Sequence, residues 1–384
     1  MRVRLLHIIL LWFLQSGPAA AQDSLRVLFA GDIMMHGPQI QSARRQDGSF
    51  DFLRSFRHLK NLFGRADAVV GNLETTLVKK NFTGYPRFGA PDTLAYQLRQ
   101  AGFTHLVTAN NHSCDRGRHG ILHTVESLDK AGIRHTGTGK KPRTETGETV
   151  IEKGNIRLAL LNYTYGTNGI AVPRGTYVNL IDTVRMKQDI RRIRRTGRYD
   201  DIVVFLHWGT QYRYQPDAFQ KKIEKFLHRQ GIRYIIGSHP HIVQPVRRDS
   251  ARHRLTAYSL GNFISNQRDF PRDGSMLLEL TFVKNNEGIR LHKLTYIPVW
   301  TYKGMYNGKT FFEVLPARRF IFRHAYFPDS VSHYKMLRYL THLDRIMKDS
   351  GIPPASGPPL IGNLLHMPRP RLYKKPDLVF INEL

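Results

Sequence analysis

Residues 25–34 read LRVLFAGDIM, an almost unbroken apolar run that ends in Gly31, Asp32 and a short loop. Such a run predicts a buried β-strand whose carboxyl end carries an acidic side chain. Similar apolar segments follow at 67–72, 105–108, 157–165, 201–208 and 234–237. Helical patterns separate them near residues 51–64, 91–101, 119–131, 181–195 and 216–230. This alternation of strand and helix predicts an α/β fold.

The last third of the chain has a different pattern. Residues 276–284 and 289–301 alternate apolar and polar side chains, which predicts antiparallel strands, and residues 333–349 resemble an amphipathic helix. Residues 351–371 are rich in Pro and Gly, which predicts irregular structure. We expect three parts: a signal segment at 1–21, a main domain at 22–310 and a C-terminal extension at 311–384.

The N-terminus has the features of a secretory signal. Arg2 and Arg4 precede an apolar run at residues 5–14, and the alanines at 19–21 offer a small-residue cleavage site. The run is shorter than the ~20 residues that a membrane-spanning helix needs. We therefore favour cleavage after Ala21 over an uncleaved anchor, and we expect an exported protein in the periplasm or at the cell surface.

The composition is strongly basic. The chain contains 58 Lys and Arg against 30 Asp and Glu, which gives a formal net charge of +28. A field of this sign attracts polyanions, namely anionic polymers, anionic lipid or nucleic acid. Nucleic acid is the least favoured of these, because the sequence has no helix-turn-helix, zinc-finger or RNA-recognition signature. We expect an anionic polymer or a phosphorylated substrate as the partner.

Polar side chains that can bind metals follow the predicted strands repeatedly. In chain order, they are Asp32 with His36, Asn72 with Glu74, Asn111 with His112, then His207, and His239 with His241. In an open α/β sheet, ligands bind beyond the carboxyl ends of the strands, so we expect these side chains to converge. The neighbouring Asn110, Ser113 and Asp115 have the residue types of a turn.

The residue types favour a metal centre. Carboxylate oxygen, imidazole nitrogen and amide oxygen together suit Zn, Mn or Fe, whereas a single cysteine, Cys114, offers no thiolate cluster. His239 and His241 stand two residues apart around Pro240. In an extended segment both side chains would point the same way. We therefore expect this segment to be extended and to supply two ligands, with Pro240 restricting its backbone.

The motifs GD, GNLE, NNH, HWG and HPH occur in this order and are followed by SLGNF at residues 259–263. This ordered set resembles the CapA family of capsule or poly-γ-glutamate synthesis proteins, over roughly residues 25–303. That family resembles a branch of the calcineurin-like metallophosphoesterases. The resemblance implies an α/β/β/α sandwich of two mixed sheets, here with a C-terminal extension.

The resemblance also implies roles for individual residues. The metal ligands that it implies are Asp32, Glu74, Asn111, His207, His239 and His241. His112 matches the histidine that is a candidate acid near the leaving group. Further ligands, or donors around the ligands, are expected among His36, Asn72, Gln244 and Asn262. A full site of this class binds two divalent metal ions, which clamp a phosphoryl oxygen.

The sequence departs from the metallophosphoesterase pattern at three places. Met34 stands where a histidine usually follows the first aspartate, and the block of the bridging aspartate reads Asn72-Leu73-Glu74. Gln211 stands where CapA-like chains commonly carry an acid, and an amide cannot act as a base. A centre with two metals, with one metal or with none therefore stays open.

Two functions are compatible with these features. In the first, an exported protein helps to make or handle an anionic envelope polymer such as poly-γ-glutamate, together with a membrane-bound polymer synthase complex. In the second, the chain is a metal-dependent phosphoesterase that acts on an anionic envelope substrate. The resemblance and the charge favour the first function, and the ordered ligand set favours the second. Whether the protein is an enzyme stays open at this point.

Overall fold

The structure of the protein is a computed structural model, and it describes residues 23–141 and 147–357. The predicted signal segment, its cleavage point after Ala21, and the predicted C-terminal extension from residue 358 onward lie outside the described residues. Within the described ranges, no helix is long and apolar enough to cross a membrane.

The described chain alternates strands with helices. The strands are β1 (Ser24–Ile33), β2 (Ala68–Leu73), β3 (Leu77–Val78), β4 (Ala90–Pro91), β5 (His105–Val107), β6 (Arg134–Thr136), β7 (Thr138–Lys140), β8 (Thr149–Lys153), β9 (Ile156–Thr164), β10 (Thr176–Val178), β11 (Asp201–His207), β12 (Tyr234–Ser238), β13 (Val246–Asp249), β14 (Arg254–Ala257), β15 (Gly274–Asn285), β16 (Gly288–Tyr306) and β17 (Lys309–Pro316). The helices are α1 (Gly37–Ala43), α2 (Leu53–Phe56), α3 (Lys60–Phe63), α4 (Thr93–Ala101), α5 (Gly117–Lys130), α6 (Thr183–Arg195), α7 (Ala218–Arg229) and α8 (Ser330–Asp349). Short 3-10 turns occupy Arg57–Leu59, Ala317–Phe320 and His324–Tyr326.

Two large mixed sheets form the centre of the described structure. The first has the strand order β17-β16-β15-β1-β2-β5-β6, in which β1, β2, β5 and β6 run parallel and the β15–β17 meander joins antiparallel. The second has the order β13-β14-β12-β11-β9-β8, with a parallel centre and antiparallel outer strands. The small sheets β3–β4 and β7–β10 accompany them.

The two sheets pack face to face and helices cover their outer faces. Phe29 of β1 and Phe205 of β11 belong to one buried apolar cluster, which lies between the sheets. Leu28, on the outer face of β1, packs in a second cluster with Leu94 of α4. A third cluster joins the outer face of the second sheet to α6 and α7. These four layers confirm the predicted α/β/β/α sandwich.

Helix α6 illustrates how the local sequence sets the packing. The Asp182 side chain caps the helix by accepting hydrogen bonds from the backbone N–H groups of Val184 and Arg185. Ile190 and Ile193 lie three residues apart and are buried, whereas the arginines between and after them are exposed. The amphipathic pattern thus determines which face of the helix covers the sheet.

All predicted strands and helices have counterparts among the described elements, with bounds shifted by a few residues. The predicted antiparallel segments are β15 and β16. The sequence analysis missed β17, although Asn307-Gly308 between two alternating runs is a strong hairpin signal. Both residues have positive φ, 47° and 72°, as a tight hairpin turn requires. The first sheet therefore continues to Pro316, and the domain boundary expected at residue 310 falls inside a strand.

Helix α8, in the predicted extension, packs on the first sheet. Leu337 and Leu343 belong to the same buried cluster as the inner faces of the sheets. Asp344 is fully buried and accepts hydrogen bonds from the Tyr296 hydroxyl and from Arg318, both at 2.6 Å. A buried acid that is paired in this way fixes the helix against β16 and against the turn after β17.

Asp344→Ala leaves Arg318 without this partner in a largely buried position, so we expect a loss of about 3–5 kcal/mol in the free energy of unfolding. Urea unfolding followed by circular dichroism measures this loss. Asp349→Ala, at an exposed position five residues later, is the control and should change stability by less than about 0.5 kcal/mol. Equal stability of the two variants would contradict an anchoring role for Asp344.

Candidate metal centre

The carboxyl ends of parallel strands from both sheets meet at one edge of the sandwich. The strand register pairs Asp32 of β1 with Asn72 of β2, and His207 of β11 with Ser238 of β12. Across the two sheets, the Asn72 side-chain nitrogen lies 3.1 Å from His207 Nδ1. Residues that are far apart in sequence therefore lie close together at this edge, because each of them stands at the end of a strand.

Contact with the SLGNF segment at residues 259–263 shapes the end of β1. The Asp32 N–H donates to the Gly261 carbonyl at 3.0 Å, and the Ile264 N–H donates to the Asp32 carbonyl at 3.1 Å. A Cβ on Gly31 would lie 1.9 Å from the Gly261 carbonyl oxygen, so the two backbones can approach only because residue 31 is glycine. The motif thus holds the backbone that presents the Asp32 carboxylate.

Two groups of buried side chains place potential ligand atoms within 4.8 Å of one another. The first group is Glu74, His207 and His239, and the second is Asp32, Glu74 and His241. Glu74 belongs to both, with Oε1 at 3.7 Å from His207 Nε2 and at 3.9 Å from His241 Nε2. The described residues therefore offer two adjacent ligand sets that share one carboxylate.

Glu74 gives the strongest physical reason to expect a cation. It is fully buried, and neither of its carboxylate oxygens accepts a hydrogen bond from any described residue. Burial and the neighbouring Asp32 carboxylate raise the pKa of Glu74 well above its ordinary value. A buried carboxylate without a donor is costly unless a proton neutralises it or a cation pairs with it. The residues present therefore fit a divalent metal ion.

The histidines of the first ligand set are kept neutral. Burial, followed by the proximity of other histidines, lowers the pKa of His207 and of His239 well below the usual value. His239 Nδ1 lies 3.1 Å from His207 Nε2, and His207 Nδ1 lies 3.0 Å from the Ser238 hydroxyl. A neutral imidazole offers a nitrogen lone pair, so both rings are in the form that binds metals at neutral pH.

The two asparagines of the predicted site have different surroundings. Asn111 Oδ1 lies 2.7 Å from His207 Nε2, so its amide oxygen faces the space shared by the first ligand set. The Asn72 side-chain nitrogen instead donates to Asp32 Oδ1 at 2.8 Å and to the Ser238 hydroxyl at 3.2 Å. Asn111 thus has the position of a ligand, whereas Asn72 orients Asp32.

The segment His239-Pro240-His241 is not extended, and that prediction is wrong. Strand β12 ends at Ser238, and the φ angles of His239 and His241 are 98° and 60°, in the left-handed region. Each such angle costs a non-glycine residue roughly 1–3 kcal/mol, so the surrounding contacts must impose it. His241 Nδ1 still reaches to 3.2 Å from Asp32 Oδ2. A turn, and not the alternation of a strand, brings both rings to the cluster.

Three other residues named from the sequence lie around the cluster. Asn262 Oδ1 lies 3.0 Å from His241 Nδ1 and orients that ring. Gln244 donates to a backbone carbonyl in the loop after β11, at 2.8 Å, and so supports that loop. His36 Nδ1 accepts from the Asn266 N–H at 3.3 Å, and burial lowers the pKa of His36 to about 4. Of the three, His36 belongs to neither ligand set.

A cavity of about 630 Å³ lies over the cluster, and His112 lines it. His112 Nδ1 lies 2.7 Å from Asp115 Oδ2, and both side chains are buried. The sequence pattern indicates only a turn at Asp115, whereas in the structure this carboxylate also orients the histidine. Its spacing of three residues from His112 is the signal that could have identified it.

Tyr165 is a site residue that the sequence analysis did not identify. It follows β9 directly, and its N–H donates to the His207 carbonyl at 2.9 Å. Its ring centroid lies 4.5 Å from that of His239, and 42% of the residue is exposed. Tyr165 therefore forms a wall of the cavity over the first ligand set. Its position at the end of a predicted strand was the available signal.

The other two departures, Met34 and Gln211, lie at the same edge as the Asn72-Leu73-Glu74 block. Met34 is buried and lines the cavity, where it offers a thioether in place of an imidazole. The Gln211 side-chain nitrogen lies 3.3 Å from His241 Nε2, so an uncharged amide faces the second ligand set. A four-layer α/β/β/α sandwich with buried acids, histidines and an asparagine at its strand ends defines a metallophosphoesterase-like protein.

Residues 26–267 match the family described as bacterial capsule synthesis protein PGA_cap. The chain belongs to this family, which is part of the metallophosphoesterase-like superfamily. This match confirms the CapA resemblance inferred from the ordered motifs.

Two relatives carry names of the same kind. The chain is 28% identical over 259 residues to the capsule biosynthesis protein CapA of Bacillus anthracis, covering 64% of this chain and 61% of that protein. It is 26% identical over 301 residues to the PGA biosynthesis protein CapA of Bacillus subtilis (strain 168), covering 73% and 75%. The alignment thus spans less than two thirds of the B. anthracis protein.

A solved structure of a hypothetical protein from Thermus thermophilus aligns with 71% of this chain and 98% of that chain. The TM-score is 0.44 and the sequence identity is 14%.

Glu74→Gln keeps the size of the side chain and removes its charge, so we expect opposite effects on metal content and stability. The purified variant should retain less divalent metal than the wild type after dialysis, as measured by elemental mass spectrometry. Without metal, the variant should be more stable than the wild type by about 1–3 kcal/mol in urea unfolding, because the unpaired buried carboxylate is gone.

The control is Glu287→Gln, at an exposed position in the β15–β16 turn, which should alter neither quantity. Unchanged metal content in Glu74→Gln, or a metal-free variant less stable than the wild type, would rule out this role for Glu74.

Proposed function

We propose that the protein takes part in making or handling a capsule polymer of the poly-γ-glutamate type, in the cell envelope after export. The observation that carries this proposal is the family match over residues 26–267. The names of the two Bacillus relatives support it, and so does the formal charge of +28, which favours an anionic polymer as partner. A membrane-bound polymer synthase complex is the expected site of action.

We further propose that this role uses a divalent metal held at the cluster. The support is the buried Glu74 carboxylate, which has no donor among the described residues and lies between the two ligand sets. His207, His239 and Asn111 would hold a cation on one side, and Asp32 and His241 would do so on the other. A divalent cation at such a site supplies Lewis-acid polarisation of a phosphoryl or carbonyl oxygen.

A variant with His239→Ala and His241→Ala removes a ligand from each set. We expect the purified wild type to contain up to two divalent ions per chain and the double variant to lose them, as measured by elemental mass spectrometry. In the source organism lacking its own copy, the wild type should restore the polymer and the double variant should not. Polymer is measured as γ-linked glutamate in envelope hydrolysates.

The matched control is His253→Ala with His292→Ala, which removes two exposed histidines of the same chemistry. This control should keep both the metal and the polymer. A wild type that contains no metal after growth in metal-supplemented medium would contradict the metal centre. Normal polymer in cells without the protein would contradict the envelope role.

A second candidate function, hydrolysis of a phosphoester, is favoured by one observation. His112 lines the cavity over the cluster and is held by Asp115 at 2.7 Å. A histidine fixed in this way can donate a proton to a leaving oxygen, and the carboxylate keeps its ring in one orientation. His112 and Asp115 could donate this proton even though residue 211 is an uncharged glutamine.

We expect His112→Gln to affect substrates according to their leaving groups. Hydrolysis of an alkyl phosphate should fall by roughly 10²–10⁴-fold in kcat, because a poor leaving group needs a proton. Hydrolysis of p-nitrophenyl phosphate should fall much less, since its leaving group is stable as an anion. Asp115→Asn should also lower kcat more for the alkyl phosphate than for p-nitrophenyl phosphate, but both losses should be smaller than those of His112→Gln. Equal losses on both substrates would argue against His112 as the acid.

A further inference from the structure

A second cavity, of about 520 Å³, runs along helix α1, and we call it the α1 groove. It is lined by Pro38 and Gln41 of α1, by Arg44 and Arg45 directly after the helix, and by Lys303 and Lys309 on either side of the β16–β17 turn. Four of its lining residues are cations and none is an acid. A groove with this lining favours a ligand that carries several negative charges.

The cations of the groove are available to such a ligand. Arg44, Lys303 and Lys309 are exposed, and no acidic side chain among the described residues lies within ion-pair distance of any of them. Arg45 is the exception, because it pairs with Asp51 at 2.6 Å. Three unneutralised charges around one concave surface produce a stronger local positive potential than the same charges on a convex surface.

The cavity over the metal centre has a different lining. It contains one cation, Arg87, and one acid, Asp115, which is already engaged with His112. Tyrosines, amides and histidines make up much of the remaining lining. This cavity can take one reacting group, but it cannot neutralise a chain with many carboxylates. The α1 groove, by contrast, is lined by four cations and no acid.

The groove begins beside that cavity. Residues 85–87 line the cavity, and Gly84 packs against the start of α1, where a Cβ on Gly84 would lie 2.2 Å from the Gly37 nitrogen. Pro38, one residue later, lines the groove. Helix α1 has seven residues, so the groove extends about 10 Å from this point to Arg44. A linear chain lying along α1 would therefore arrive at the cavity.

We propose that the α1 groove binds an anionic polymer with regularly spaced carboxylates and leads one end of it towards the metal centre. The identity of the polymer, a γ-linked polyglutamate, rests on the proposed function, whereas the groove itself rests on its lining. Binding through exposed cations releases counterions and is screened by salt. Its affinity should therefore depend steeply on ionic strength.

The test uses the full purified protein and a fluorescently labelled poly-γ-glutamate of single length, with Kd measured by fluorescence anisotropy at several salt concentrations. Variant R44E/K303E/K309E reverses the three free cations of the groove. Variant R191E/K221E/K222E makes the same charge change on exposed positions of α6 and α7. Variant R44Q/K303Q/K309Q removes the charges without reversing them, and circular dichroism confirms that every variant is folded.

We expect the groove reversal to raise Kd by at least about 10-fold near 0.15 M salt and to flatten its salt dependence. The R44Q/K303Q/K309Q variant should show a smaller loss, and the reversal on α6 and α7 should change Kd by less than about 3-fold. Equal losses in both reversals would show attraction by net charge alone and would overturn the proposal. No loss in the groove variants would do the same.

The metal-site variant His239→Ala with His241→Ala separates this inference from the proposed function. It should bind the polymer as the wild type does, even though it has lost metal. Loss of binding there, with normal binding in the groove variants, would place the polymer in the cavity and overturn the groove. A single-stranded oligonucleotide or polyphosphate of equal charge that binds more tightly than poly-γ-glutamate would overturn the assignment to a polycarboxylate.

Discussion

The carboxylate of Glu74 is buried without a hydrogen-bond donor among the described residues, and the surrounding site is arranged around it. Burial and the nearby Asp32 carboxylate raise the pKa of Glu74, so in the metal-free cluster this side chain favours its protonated form. The neutral histidines supply lone pairs and no positive charge. A divalent cation that takes the place of this proton would pair with the Glu74 carboxylate where water is excluded.

The rigid sandwich keeps this unfavourable cluster in place. Asp32 is held from behind by the SLGNF segment, and His207 by the register of β11 with β12. In the turn, His239 and His241 have left-handed backbone angles, which are unfavourable for residues other than glycine. Packing between the two sheets is strong enough to impose these local costs.

The cavity over the metal cluster and the surface outside it differ in charge. One cation, Arg87, and one acid, Asp115, line the cavity over the cluster, together with the aromatic rings of Tyr85, Tyr165 and Tyr212. Many of the basic residues lie outside it, directly after α1 and along α6 and α7. Separate regions can thus retain a polyanion and act on one of its groups. The uncharged Gln211 beside His241 fits this division, because it keeps the second ligand set free of a further acid.

The sequence by itself determined the strands, the helices and the members of the cluster. Apolar runs that end in Asp32, Glu74, Asn111 and His207 specify strands and place polar groups at their carboxyl ends, because period and position are local properties. Only the tertiary structure decided how these residues meet. The segment at His239 is a turn and is not extended, and His112 is paired with Asp115. Glu74 has no donor among the described residues, and α1 lies beside the β16–β17 turn. These features depend on packing between segments far apart in the chain, and no local pattern encodes such contacts.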